Sequence, residues 1–197
     1  MERAVNDTTG GPDRPLRILL AGERKSGKTT SCMTAARMLR EKGLRPGGVV
    51  CPKLLDPSGR VIGIEVLNLL DDPPSREVLA RTDRGMDGPS TGAYHFSEKG
   101  LRFGREALEA GARRGDIVFA DELGPLEMRG EGFSNLIDLA RTPSTPPMVI
   151  VVRRDLVSGV RKELAPIPIT VLPFTSSHPE ETPARLLELL RNLPHAI

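Results

Sequence analysis

The chain has 197 residues, with 28 basic and 26 acidic side chains, a net charge of +2, 3% aromatic residues and no Trp. That length supports one substantial domain and is too short for two independent cores. The balance of charge argues against a nucleic-acid or anionic-membrane partner, and so few aromatics leave no stacking platform for a single strand.

Residues 1–14 are polar, contain Gly10, Gly11 and Pro12, and lack the apolar run of a signal peptide. They read as a disordered leader ahead of a single domain over 15–197. No apolar stretch reaches the roughly 18 residues of a membrane span. The two cysteines, Cys32 and Cys51, have neither disulfide nor metal-ligand spacing. A cytoplasmic, reducing setting is therefore expected.

Residues 16–21 read as a short apolar strand, and residues 29–41, closed by Gly43, as a helix. Between them, Gly22-Glu23-Arg24-Lys25-Ser26-Gly27-Lys28-Thr29 satisfies G-x-x-x-x-G-K-[ST]. The two glycines allow consecutive backbone N–H groups to turn inward and meet the positive end of the helix dipole. The stretch through Thr30 is thus expected to cradle phosphates, with Lys28 reaching the β- and γ-phosphates and the Thr29 hydroxyl ligating Mg²⁺. Lys25 occupies a place where a small residue is usual, and it is expected to point to solvent.

Further along, residues 48–55 read as a second strand. A turn at 56–59 leads into an antiparallel return strand at 60–67. Residues 71–94, rich in Pro, Gly, Asp and Arg, read as a long loop that includes Arg81 and Arg84. Helical spacing follows over 98–114, weakened by Gly104 and Gly111. An apolar strand covers 116–121. Phe133, Leu136, Ile137 and Ala140 then mark an amphipathic helix. A fully apolar strand at 148–152, a helix at 155–164, a strand at 167–172 and a Leu-striped helix opened by Thr182 and Pro183, with Leu186, Leu187, Leu190 and Leu193 on one face, complete the pattern. Strands alternating with helices imply a parallel sheet covered on both faces, whose ligands bind at the carboxyl ends of the strands.

The strand at 116–121 ends in Asp121-Glu122. An apolar strand ending in Asp has the form that holds Mg²⁺ beside a phosphate loop, and Glu122 is placed to polarise an attacking water. Asp121-Glu122-Leu123-Gly124-Pro125-Leu126-Glu127-Met128, followed by Gly132-Phe133, closely resembles the Walker B signature of the THEP1-type nucleoside-triphosphatases. The 52–68 hairpin, Gly92-Ala93-Tyr94-His95-Phe96 and the strand end Val152-Arg153-Arg154 resemble that family too, so the likeness runs from about residue 16 to the last helix.

That resemblance implies a RecA-like P-loop NTPase fold: a three-layer α/β sandwich with a mostly parallel sheet and an added antiparallel β-hairpin. It also implies hydrolysis of several nucleoside triphosphates, ATP and GTP among them. Residues 22–30 would bind phosphates, and Asp121 and Glu122 would serve Mg²⁺ and water. Among the arginines, Arg153 is the first choice for transition-state charge. Glu127 reads either as a loop anchor or as a surface carboxylate. Tyr94 and Phe96 read as core packing ahead of the alternative that they stack on a base, and His95 has no partner at motif spacing. Two alternatives stay open: a small-molecule or nucleotide kinase with a basic lid over 153–162, and a nucleotide-gated module that docks a protein partner. No base-selecting motif follows the central strands.

Overall fold

The computed structural model of the chain describes residues 16–83 and 85–190. The expected leader, Arg84 and Leu193 lie outside the described residues. Five strands form a parallel core: β1 (Arg17–Gly22), β2 (Pro46–Val50), β8 (Ile117–Leu123), β9 (Met148–Arg153) and β10 (Ile169–Pro173), in the spatial order β10-β1-β9-β8-β2. One strand, β9, therefore separates the strand that feeds the glycine loop from β8, which carries Asp121 and runs two residues past it.

The layers follow from period-two alternation along these strands. Ile18, Leu20, Phe119, Val149 and Val151 face one side, where Ala35, Ala36 and Leu39 of α1 (Lys28–Glu41) and Leu186, Leu187 and Leu190 of α5 (Glu181–Leu190) cover them. Leu19, Val118, Ala120, Ile150 and Val152 face the other side. There they meet Leu101 and Leu108 of α2 (Glu98–Arg114), Leu136 and Ala140 of α3 (Leu136–Arg141), and Val160 and Leu164 of α4 (Val157–Leu164). Full burial of each Leu, Ile or Phe contributes about 1.5–3 kcal/mol, so the two apolar layers carry most of the fold's stability. Among the described residues no helix is long and apolar enough to cross a membrane.

Gly111, which weakens α2 as an isolated helix, has a packing reason. A β-carbon on Gly47 of β2 would come within 2.6 Å of the Gly111 Cα, so the helix rests on the strand backbone to backbone. The start of α2 is fixed by Ser97, whose hydroxyl accepts from the Gly100 amide at 3.2 Å.

The antiparallel addition is larger than a hairpin. Strands β3 (Lys53–Leu55), β4 (Val61–Asn68), β5 (Ser75–Arg81), β6 (Ser90–Thr91) and β7 (Tyr94–Phe96) extend the sheet beyond β2 in the order β4-β5-β7-β6, with β3 on β4. The expected strand at 48–55 is split in two, since β2 ends at Val50 and β3 starts at Lys53. The expected loop at 71–94 contains all of β5. That strand pairs with β4 along most of its length, while Arg76, Glu77 and Arg81 on its more exposed residues obscure the apolar Leu79 and Ala80. The helix expected from Phe133 begins only at Leu136, and a 3₁₀ turn at Arg154–Leu156 precedes α4.

Candidate active site

The loop between β1 and α1 turns on two unusual backbone positions. Gly27, at the head of α1, has φ +112°, which a side chain rarely adopts. Gly22 has no room for one, because a β-carbon there would come within 2.9 Å of the Phe174 Cβ. Phe174, buried just after β10, donates its amide to the Ala21 carbonyl at 2.7 Å and supports the loop from below. The Ser26 hydroxyl donates to the Glu23 carbonyl at 2.8 Å. Lys28 is 96% buried, and its ammonium donates to the carbonyls of Gly22 at 3.2 Å and Glu23 at 2.5 Å, which hold it within the ring of the loop.

Lys25 is exposed, as expected, yet it also borders the cleft and takes φ +58°. A left-handed conformation explains why a small residue is usual there. Glu23, Arg24 and Thr30 are also exposed, Arg24 and Thr30 on the cleft and Glu23 on an adjoining surface pocket.

At the carboxyl end of β8 the pairing with β9 shifts. Ala120 sits opposite Ile150 and Leu123 opposite Val152, so Asp121 and Glu122 together face Val151 alone. This is a β-bulge. Its effect on the side chains is visible at Leu123, which joins the same apolar cluster as Ala120 although it stands three residues on. In a regular strand Asp121 and Glu122 would point to opposite faces. With the bulge, both line one cleft with Gly27 and Thr29.

Asp121 is 3% exposed and accepts the Cys51 amide on Oδ2 at 3.1 Å. Burial pushes its pKa up, while the Thr29 hydroxyl, the Cys51 amide and Lys28 pull it down. Glu122 is half-buried. Burial and the neighbouring Asp121 raise its pKa, opposed by Lys28, Arg153 and Arg24. Arg153, the last residue of β9, stands in register with Gly22 and so faces the loop directly. One terminal nitrogen of its guanidinium holds Asp155 at 3.1 Å, and its buried Nε has no hydrogen-bond partner among the described residues.

The structure thus brings Thr29, Asp121, Glu122 and Arg153 around one cleft, with Lys28 buried in the loop beside it and near enough to favour the charged form of both carboxylates. The Thr29 hydroxyl and the Asp121 carboxylate are hard oxygen donors of the kind Mg²⁺ prefers. Among the described residues no group of three or more His, Cys, Asp or Glu could hold a metal. Two protein oxygens would leave most of an octahedral shell to substrate phosphates and water, which is how Mg²⁺ commonly binds beside a nucleotide.

Other candidates sort themselves by contact. Glu127 is an anchor: its two carboxylate oxygens accept from the amides of Gly124 at 2.9 Å and Phe133 at 3.0 Å, closing the 124–133 loop. Burial still pushes its pKa up. Tyr94 and Phe96 are half-buried and line the cleft, rather than being confined to the core, although Phe96 also packs on the core's edge. His95 bonds Ser90 at 2.8 Å. Arg81 pairs with Asp83 at 2.9 Å, while Arg161 and Lys162 are exposed on α4. Burial raises the thiol pKa of both Cys32 and Cys51, so neither is poised as a thiolate. Phe174 carries no motif signal; only its place just after a strand that ends beside the loop could have singled it out.

A family model described as NTPase matches residues 17–183. Nucleoside-triphosphatase THEP1 of Methanopyrus kandleri is 32% identical over 177 residues, covering 88% of this chain and 94% of that protein. Its counterpart in Sulfolobus acidocaldarius is 32% identical over 144 residues, covering 73% and 80%. The crystal structure of THEP1 from Aquifex aeolicus superposes with a TM-score of 0.66 at 18% identity, over 90% of this chain and all of that one. A solution structure of a human cancer-related nucleoside triphosphatase gives 0.65 at 19% identity, over 90% and 97%. The α/β sandwich described above is that of the P-loop NTPases.

Proposed function

The chain belongs to the THEP1 nucleoside-triphosphatase family and hydrolyses nucleoside triphosphates, and from that premise we propose that it converts ATP, GTP and related nucleotides to the diphosphate and phosphate with Mg²⁺. The observation that carries this reading is the bulge that turns Asp121 and Glu122 together into the cleft of the glycine loop.

In this reading the amides of residues 22–30, at the positive end of α1, bind the phosphates. Lys28 leaves the carbonyls of Gly22 and Glu23 for the β- and γ-phosphate oxygens, a short movement within the same ring. Thr29 and Asp121 hold Mg²⁺, which when bound neutralises phosphate charge. Glu122, whose carboxylate is destabilised by burial, takes the proton of the attacking water. Arg153 faces the loop from β9 with a donor unused, and it stabilises the charge that develops on the γ-phosphate. The single ten-stranded sheet supports taking 15–197 as one folding unit, and two unpaired thiols suit a reducing cytoplasm.

The test is phosphate release from ATP, GTP, CTP and UTP with Mg²⁺ and with EDTA. Release from several nucleotides that stops with EDTA is expected. Release that EDTA leaves intact would remove Mg²⁺ from the reading, and release from one nucleotide alone would remove the broad substrate range.

A further inference from the structure

The cleft is more apolar than phosphate binding and water attack require: its volume is about 480 Å³, which the nucleoside triphosphate shares, and part of its lining is aliphatic and aromatic. It is lined by the phosphate loop and by a wall built by the antiparallel extension, from Ile64 of β4, Leu79 of β5 and Tyr94 and Phe96 of β7, together with Phe133. A phosphate site needs none of these residues, yet five antiparallel strands are added to the sheet and four of the wall's side chains come from them.

Glu122 lies among the residues lining this cleft, and the other carboxylates lining it are engaged: Asp121 by the Cys51 amide and Glu127 by two backbone amides. The cations of the cleft are Arg24 and Lys25 of the loop, Arg153 at the end of β9 beside it, and Lys53, exposed on β3 in register with Ile64 of the wall. One exposed lysine among the described residues of that wall is a poor site for a second phosphate-bearing molecule, whose charge calls for several donors.

We propose that this wall is an acceptor site, and that the chain transfers the γ-phosphoryl group to the hydroxyl of a small uncharged alcohol with an aromatic ring. This rests on the phosphate-site reading above. The alcohol oxygen bonds to the γ-phosphorus as the bond from that phosphorus to the β–γ bridging oxygen breaks. The nucleoside diphosphate leaves with the electron pair and the hydroxyl proton passes to Glu122. The products are a phosphomonoester, a nucleoside diphosphate and a proton. Hydrolysis is the same step with water in place of the alcohol.

The test incubates the full chain with γ-³²P-labelled ATP, Mg²⁺ and benzyl alcohol, 2-phenylethanol or 3-pyridinemethanol, with AMP as an anionic control. The label is followed into phosphomonoester and inorganic phosphate. Label is expected in the phosphomonoester of at least one alcohol and not in ADP formed from AMP, with inorganic phosphate falling as the alcohol rises. Tyr94→Ala is expected to raise KM for that alcohol about tenfold and to shift the product toward inorganic phosphate. Label only in inorganic phosphate, whatever the alcohol, overturns the acceptor site and leaves hydrolysis standing. A rise in KM for ATP with Tyr94→Ala and no phosphomonoester assigns the wall to the nucleobase and overturns it too. Absence of both products overturns the phosphate-site reading along with it.

Discussion

The two ends of β1 each hold a buried cation, and the surroundings of the two could hardly differ more. At the amino end, Arg17 is fully buried, and its five N–H groups donate to the carbonyls of Leu16, Ala140, Thr142, Thr145 and Pro146 at 2.8–3.3 Å. Two of those carbonyls, of Ala140 and Thr142, lie at the carboxyl end of α3, where a cation is favoured. Burial lowers the guanidinium pKa to about 10, so it stays charged. Just past the carboxyl end, Lys28 has two carbonyl partners, Arg153 has a buried nitrogen without one, and two neighbouring carboxylates have raised pKa values. A buried charge whose partners the fold supplies in full is architecture. A buried charge left short of partners is set up to receive them from a ligand.

The contrast is broken most severely by Lys28→Ala. Phosphate release is expected to fall about a thousandfold, near 4 kcal/mol of barrier, while urea unfolding stays close to that of the unaltered chain. A large loss of stability instead would put Lys28 in the same class as Arg17. The complementary change is Arg17→Met. It takes a donor from five carbonyls, of which those of Leu16 and Thr142 keep a backbone amide partner, and is expected to cost about 3 kcal/mol in urea unfolding. The rate per folded molecule should not change, and a fall in that rate would mean the two ends of β1 are coupled.

Glu122→Gln comes next. It is expected to slow release about a hundredfold, near 2.7 kcal/mol, with nucleotide binding retained. The active form is the carboxylate, and burial raises its pKa. The rate should therefore fall as pH drops through a value above the ordinary glutamate range, because protonation removes the base. Glu122→Gln should flatten that acid limb. A limb that survives the substitution belongs to another group.

The sequence makes the two ends unequally legible. The glycine loop and the Asp121 to Met128 run are contiguous strings whose chemistry depends on local order, so they can be read without the fold. That they share a cleft depends on β9 threading between β1 and β8, and on a bulge at Asp121-Glu122; neither is a property of a short string. Arg17 looks like an interruption of an apolar strand because all its partners but Leu16 are more than 120 residues away. Strand β5 was hidden for a related reason. Its apolar residues are few, and its partner β4, not its own periodicity, holds it extended. The aromatic wall of the cleft is spread over several strands and so left no motif.

The smallest expected effect sharpens the comparison at the one non-glycine residue among those described that takes a left-handed backbone. Lys25, at φ +58°, carries a strain of about 1–2 kcal/mol that glycine would release. Glycine also gives the unfolded chain about 0.5–1 kcal/mol of extra freedom, which offsets part of the gain. Lys25→Gly should therefore stabilise the chain by about 0.5–1 kcal/mol in urea unfolding, and Lys25→Ala, which keeps the strain, should not. If the lysine charge only faces solvent, KM for ATP stays the same in both variants. A matched rise in KM in both would show that the charge, not the backbone, is the reason a lysine stands there. The strain would then be of the same kind as the unused nitrogen of Arg153: a cost in the folded chain that only the bound phosphate recovers.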